Sequence, residues 1–161
     1  MLIKNSLAPI ALLVAIFLLQ LAAASLFILL APLSMLAGNG VASFTRTLAA
    51  IGIILSVGVY LWAGFRAEGG TNRDAVISGA LAAVAANIAN NILNFPGIIG
   101  LNYLLFTRGL AAPISINAFE IIFQFFLGLA VWAAAGASLA VVGRQISLSL
   151  KNHNLFKSDK A

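Results

Sequence analysis

The sequence predicts an all-α integral membrane protein, a bundle of four transmembrane helices. The first observation is composition: of 161 residues, 62% are hydrophobic and 8% are charged, with a mean hydropathy of +1.08. A water-soluble domain carries about 25% charged residues, so most of this surface is expected to face lipid. The second is run length, since several apolar runs reach the roughly twenty residues of a membrane-spanning helix. The alternating pattern of a membrane β-strand is not found along the chain, which favours helices.

Four apolar runs define the predicted membrane spans. They cover about residues 9–31, 48–65, 75–95 and 118–142. Pro32 and Pro96 follow the first and third runs, and a proline removes a helical hydrogen bond and clashes with the preceding turn. We therefore expect both helices to end there. Residues 97–106 are apolar but too short to cross a bilayer, which predicts a short interfacial or re-entrant segment after Pro96.

The predicted organisation is one transmembrane domain, residues 1–143, followed by a basic cytoplasmic tail, residues 144–161. The beginning of the chain has features of a signal peptide, because Lys4 and an apolar stretch precede the small residues 22–24. Apolar sequence continues beyond that possible cleavage site, through residues 27–31. This continuation favours an uncleaved first helix.

Basic residues are distributed unevenly between the two ends of the predicted spans. Four spans place both termini on the same side as the connection between the second and third spans. That side carries Lys4, Arg66, Arg73, Arg144, Lys151, Lys157 and Lys160, whereas the other side carries Arg46 and Arg108. Because Lys and Arg concentrate in cytoplasmic loops, we expect a multi-pass protein of the cell (plasma or inner) membrane with both termini cytoplasmic. The net charge of +5 then needs no nucleic-acid partner, although the tail is suited to contact anionic headgroups.

The third span carries an unusual group of asparagines in the sequence ANIANNILNFPG, residues 86–97. At about 100° per residue, the four asparagines share one face of the helix within an arc of about 100°. The small residues Gly79, Ala80 and Ala83 continue this face towards the beginning of the span. The bulky residues lie beside it: Ile77, Leu81, Val84, Ile88, Ile92 and Phe95. Because amides in contact with lipid offset the apolar gain of insertion, this small/Asn face is predicted to pack against another helix.

Polar residues of two other spans are predicted at a similar depth. The candidate intramembrane polar cluster comprises Asn87, Asn90, Asn91, Asn94, Gln20, Glu120 and Gln124. Two interpretations stay open, either hydrogen bonds that hold helices together or an outward-facing binding site. Glu120 has a further structural interpretation, because Asn117 and Glu120 have the spacing of a helix capping box.

The sequence lacks the groups that most catalytic and cofactor sites need. It contains no cysteine, and its single histidine, His153, lies in the tail, so we expect no cofactor and no metal. One boundary carboxylate without a positioned base, nucleophile or metal makes no mechanism, and an enzyme is not expected.

Two functional hypotheses remain. The leading one is a non-catalytic subunit or interaction partner in a membrane complex or homo-oligomer, whose partners are the lipid bilayer and other membrane helices. It would pack through the small/Asn face. The alternative is an oligomeric channel or transporter for a small solute or ion that uses the outward-facing Asn/Gln/Glu site.

Overall fold

The computed structural model describes residues 2–36, 39–67, 70–109 and 118–158, and all secondary structure in these ranges is helical. The helices are α1 (Leu2–Leu30), α2 (Leu33–Leu36), α3 (Gly40–Arg66), α4 (Asn72–Thr107) and α5 (Ala118–Ser158). Four of them, α1, α3, α4 and α5, are long and apolar enough to cross a membrane. The expected all-α bundle of four long apolar helices is confirmed, and the chain is a multi-pass membrane protein.

The long helices pack as two hairpins that lie side by side. α1 and α3 form one hairpin, and α4 and α5 form the other. Between the hairpins, α1 packs on α4 and α3 packs on α5, while the α3–α4 contact is narrower. Because successive long helices alternate in direction, both major contacts between the hairpins join parallel helices.

The expected end of the third helix at Pro96 is wrong, because α4 runs from Asn72 to Thr107 with Pro96 inside it. Residues 97–106, expected as a separate interfacial or re-entrant segment, continue α4 as helix. A proline removes one backbone donor, and membrane helices tolerate this where neighbouring groups satisfy the freed carbonyl. At about 1.5 Å per residue α4 is about 54 Å long. Its apolar span, Asn72–Leu93, occupies the first part of that length.

The other long helices also extend beyond the apolar runs that predicted them. α3 begins at Gly40 rather than near residue 48, and α5 continues to Ser158 without a break at residue 143. Neither glycine nor proline occurs between residues 144 and 158. Once a helix is formed, each further residue adds a hydrogen bond at little cost. Much of the segment expected as a basic tail is therefore the last part of α5.

Arginines connect helices at both ends of the bundle. At one end, Arg108 directly follows α4 and donates to the carbonyl oxygens of Leu29 at 2.7 Å and Ala31 at 3.3 Å, at the end of α1. At the other end, Arg144 of α5 donates to the side chain of Asn72 and to the carbonyl oxygen of Gly70. The end that contains Arg66, Arg73 and Arg144 is called the basic end below.

Small side chains let the helices of the core approach closely. Gly79 of α4 and Gly136 of α5 face each other, and a Cβ on Gly136 would lie 2.6 Å from the Gly79 carbonyl oxygen. The residues of α4 that the structure describes as buried are Ala75, Ser78, Gly79, Ala82, Ala83, Ala86 and Asn87. The bulky Leu81, Ile88 and Ile92 are exposed. The small face predicted from the sequence is thus the buried face of α4, and it packs inside the chain.

Candidate functional site

Asn87 lies at the contact between α4 and α5. Its residue surface is 8% exposed, and a Cβ built on Gly128 of α5 would lie 3.7 Å from its Nδ2 atom. Gly128 therefore leaves room for the Asn87 amide beside α5. Asn91, one turn further along α4, donates from Nδ2 to the backbone carbonyl and to the Oδ1 atom of Asn87, both at 2.8 Å.

Asn91 remains on the surface of the bundle in spite of these bonds. Its side chain is exposed, Asn90 beside it is half-buried, and both lie within the apolar span of α4. Both described bonds of Asn91 use its NH₂ group. An amide oxygen has two lone pairs, so Asn91 keeps acceptor capacity at the bundle surface.

Gln124 of α5 lies at the same height along the bundle as Asn91 of α4. α4 and α5 are antiparallel, and Asn87 lies beside Gly128. One turn further along α4 therefore corresponds to one turn back along α5, at Gln124. Gln124 is exposed as well. We call Asn90, Asn91 and Gln124 the amide patch.

Packing of the α4–α5 hairpin loosens at the level of the amide patch. Ala86 and Leu93 are seven residues apart and lie on one stripe of α4. Ala86 is 0% exposed whereas Leu93 is 43% exposed. Along α5 the corresponding stripe passes from buried Gly136 through half-buried Leu129 to exposed Ile122. The facing stripes of α4 and α5 are consequently buried near the basic end and exposed in the half of the hairpin away from it.

Gln20 lies on the opposite edge of the bundle, between α1 and α3. Its Nε2 atom donates to the Leu48 carbonyl oxygen at 2.5 Å, and the amide packs where Gly52 has no side chain. The hydroxyls of Ser6 on α1 and Ser78 on α4 are paired, so these two residues lie at the same height. Measured from them at about 1.5 Å per residue, Gln20 lies about 21 Å along α1 and Asn91 about 20 Å along α4. The structure therefore places Gln20 at a similar height but not together with the asparagines.

A shallow groove of about 230 Å³ opens beside Gln20, with Phe17, Thr45 and Ala49 among its lining residues. It runs between α1 and α3, and its surface is mostly apolar. The Gln20 amide at its wall is already bonded to Leu48. This groove is therefore separate from the amide patch.

Two residues of the expected cluster fall outside what the structure describes. The backbones of Asn94 and Glu120 belong to α4 and α5, but their side chains are outside the described residues. The expected capping pair of Asn117 with Glu120 is outside them too. The part of the cluster that the structure joins is Asn87 with Asn91, with Gln124 at the same level.

The polar contacts at the helix ends are not among the features predicted from the sequence. Thr71 and Asp74 form a capping box at the start of α4, with the Thr71 N–H donating to Asp74 Oδ2 at 2.7 Å. A Thr-x-x-Asp spacing before an apolar run is a usable signal for this motif. Arg108 has a weaker signal, since basic side chains often bond the last carbonyls of a helix. That Arg108 bonds to the end of α1 depends on how the helices pack in three dimensions, and the sequence does not show this.

The chemistry of the patch is hydrogen bonding, because amides donate and accept but do not titrate near neutral pH. Among the residues that the structure describes, no group of three or more His, Cys, Asp or Glu side chains is placed to hold a metal ion. No protein-family model, characterised protein or solved structure matches this chain. The fold and the site together define a multi-pass helical membrane protein with amides on one outer face of its bundle.

Proposed function

We propose that this protein is a non-catalytic subunit that assembles with other membrane helices, from a second copy or a larger complex, through the amide patch. The observation that carries the proposal is the position of Asn91, an exposed amide within the apolar span of α4. In a bilayer such an amide faces hydrocarbon unless another helix covers it. A partner helix that brings its own polar groups removes this cost.

Hydrogen bonds between membrane helices each contribute about 0.6 kcal/mol on average and up to about 1.7 kcal/mol. The oxygen of the exposed Asn91 amide can accept such a bond from a partner helix. An amide is both donor and acceptor, so two copies of the same patch are complementary to each other. Exposed Ile92 and Phe123 beside the patch supply apolar surface for close packing around these bonds.

The proposal is tested by purification in a mild detergent, followed by measurement of the mass of the assembly and of its copurifying proteins. The patch variant is Asn91→Leu/Gln124→Leu. Asn39→Leu is the matched control, because Asn39 is exposed, precedes α3 and makes no side-chain capping bond. We expect the patch variant to lose its partner or its oligomer and the control to keep it. An unchanged assembly in the patch variant would contradict the proposal.

An oligomeric channel or transporter for a small solute or ion is the second candidate. One observation favours it, namely that the α4–α5 hairpin opens at the level of the amides. Because these amides lie on the outside of one bundle, a pathway lined by them would run between copies. Measurement of solute or ion flux into vesicles distinguishes the channel or transporter from the non-catalytic subunit. Lost flux with unchanged assembly in Asn91→Leu supports a pathway, whereas lost assembly supports the subunit.

We also propose that the protein resides in the plasma or inner membrane with both termini in the cytoplasm. The support is the excess of basic residues at the basic end over Arg46 and Arg108 at the other, since Lys and Arg concentrate on the cytoplasmic side. The chain has no cysteine, so single cysteines are clean probes. An impermeant thiol reagent applied outside cells should label Asn39→Cys and leave Asn152→Cys unlabelled. The reverse pattern would overturn the orientation.

A further inference from the structure

Three arginines from three different helices lie at the basic end. α3 ends at Arg66, Arg73 lies in the first turn of α4, and Arg144 of α5 bonds to Asn72 and Gly70 in and before that turn. Since α3 ends and α4 begins here, this is the level at which the spans meet the membrane surface.

The three arginines differ in their surroundings. Arg144 is half-buried, and its terminal nitrogens bond to the start of α4, so its role is structural. Arg66 and Arg73 are exposed. The guanidinium carbon of Arg66 lies 4.8 Å from the centre of the Trp62 ring, one turn earlier on α3. Trp62 is exposed at the bundle surface, and tryptophan concentrates where acyl chains meet headgroups.

Acidic residues only partly offset the charge at this end. The sequence places seven basic residues on this side, against Glu68, Asp74 and Asp159. The Asp74 carboxylate is turned towards Thr71, accepting from its N–H at 2.7 Å and its hydroxyl at 3.0 Å. Basic residues therefore outnumber acidic residues at this end by four.

We propose that Arg66 and Arg73 bind the phosphate of an anionic phospholipid, with the Trp62 ring against the upper part of its acyl chains. Guanidinium groups pair with phosphate oxygens through two parallel hydrogen bonds. Each basic residue near an anionic membrane surface contributes about 1 kcal/mol, a factor of about five in binding. A zwitterionic lipid offers the same phosphate, but its own cation cancels the charge. Selectivity for the anionic lipid follows.

The two tryptophans of the chain make the site measurable by fluorescence. In a Trp132→Phe background, Trp62 is the sole tryptophan. The protein is reconstituted in mixtures of phosphatidylglycerol and phosphatidylcholine in which one lipid at a time carries bromine, a quencher, in its acyl chains. We expect brominated phosphatidylglycerol to quench Trp62 more strongly, with a binding constant about 25-fold above that of phosphatidylcholine, because each of the two arginines contributes a factor of about five.

The arginine variants assign this preference to the site. Arg66→Gln/Arg73→Gln should reduce the preference to near one, and Arg66→Gln alone should reduce it about fivefold. Arg46→Gln, an exposed arginine at the other end of the bundle, is the matched control and should leave it unchanged.

Three outcomes would overturn the proposal. The first is equal quenching by the two lipids in the parent, which decides the question even if a variant fails to fold. The second is an equal loss of preference in Arg46→Gln, which would assign the effect to the overall charge. The third is displacement of the lipid by inorganic phosphate at matched ionic strength, which would assign the site to free phosphate.

Discussion

Individual glycines decide how closely the helices of this bundle approach. Gly64 of α3 lies against the backbone of Ala140, and Gly143 of α5 lies against the backbone of Leu61. A Cβ at either glycine would collide with a carbonyl group of the facing helix. In lipid, helices associate by close packing and hydrogen bonds rather than by a hydrophobic driving force. These contacts are therefore expected to contribute much of the stability.

Gly64→Ala tests this role of glycine. The new methyl group meets the Ala140 backbone, and overpacking of this kind costs about 1–3 kcal/mol. The thermal midpoint should fall by roughly 2–4 °C for each kcal/mol. Gly58→Ala on the same helix is the control, because a Cβ there has no neighbour within 4 Å. Since glycine is a poor helix former, the control should be neutral or slightly stabilising. Equal midpoints for the two variants would contradict the account.

At this scale the sequence predicts which residues are unusual but not what they contact. The small residues and asparagines of α4 stand out in an apolar chain, and their helical spacing places them on one face. The position of Gly128 beside Asn87 depends on the register between α4 and α5. The periodicity within each helix does not determine this register. The same limit applies to Gln20, whose partner Leu48 lies on another helix.

Among the helices, α4 and α5 depart furthest from the lengths predicted by their apolar runs. An apolar run shows which residues are suited to lipid, whereas a helix ends where backbone bonding ends. The run before Pro96 therefore marks residues that are suited to lipid. It does not mark the end of the helix at Thr107.

A nitroxide scan across residues 97–107 tests the continuity of α4. The accessibility of each label to oxygen should vary with a period of about 3.6 residues, in phase with the residues before Pro96. Pro96→Ala should preserve this pattern and should not lower the thermal midpoint, because alanine is the better helix former. A change of phase at Pro96, or destabilisation by Pro96→Ala, would indicate that the proline forms a turn.

The whole molecule is packed unevenly along its length. Close glycine contacts and the Arg144 bonds hold the basic half together, while the other half of the α4–α5 hairpin exposes the amide patch. Arg108 nevertheless ties the end of α4 to α1 beyond the patch. α4 is thus held to α5 at the basic end and to α1 at the other end, and the α4–α5 hairpin is open on one face at the level of the patch. Such a face is suited to receive another helix.

We expect the amide-bearing face of the α4–α5 hairpin to contact protein rather than lipid in the native membrane. A photoreactive amino acid at Ile92, beside the patch, reports this contact directly, and Ile54 of α3, which is 71% exposed, is the comparison position. We expect a discrete protein adduct at residue 92 that is lost with Asn91→Leu/Gln124→Leu, and no such adduct at residue 54. Lipid adducts alone at residue 92, or the same protein adduct at both positions, would contradict it.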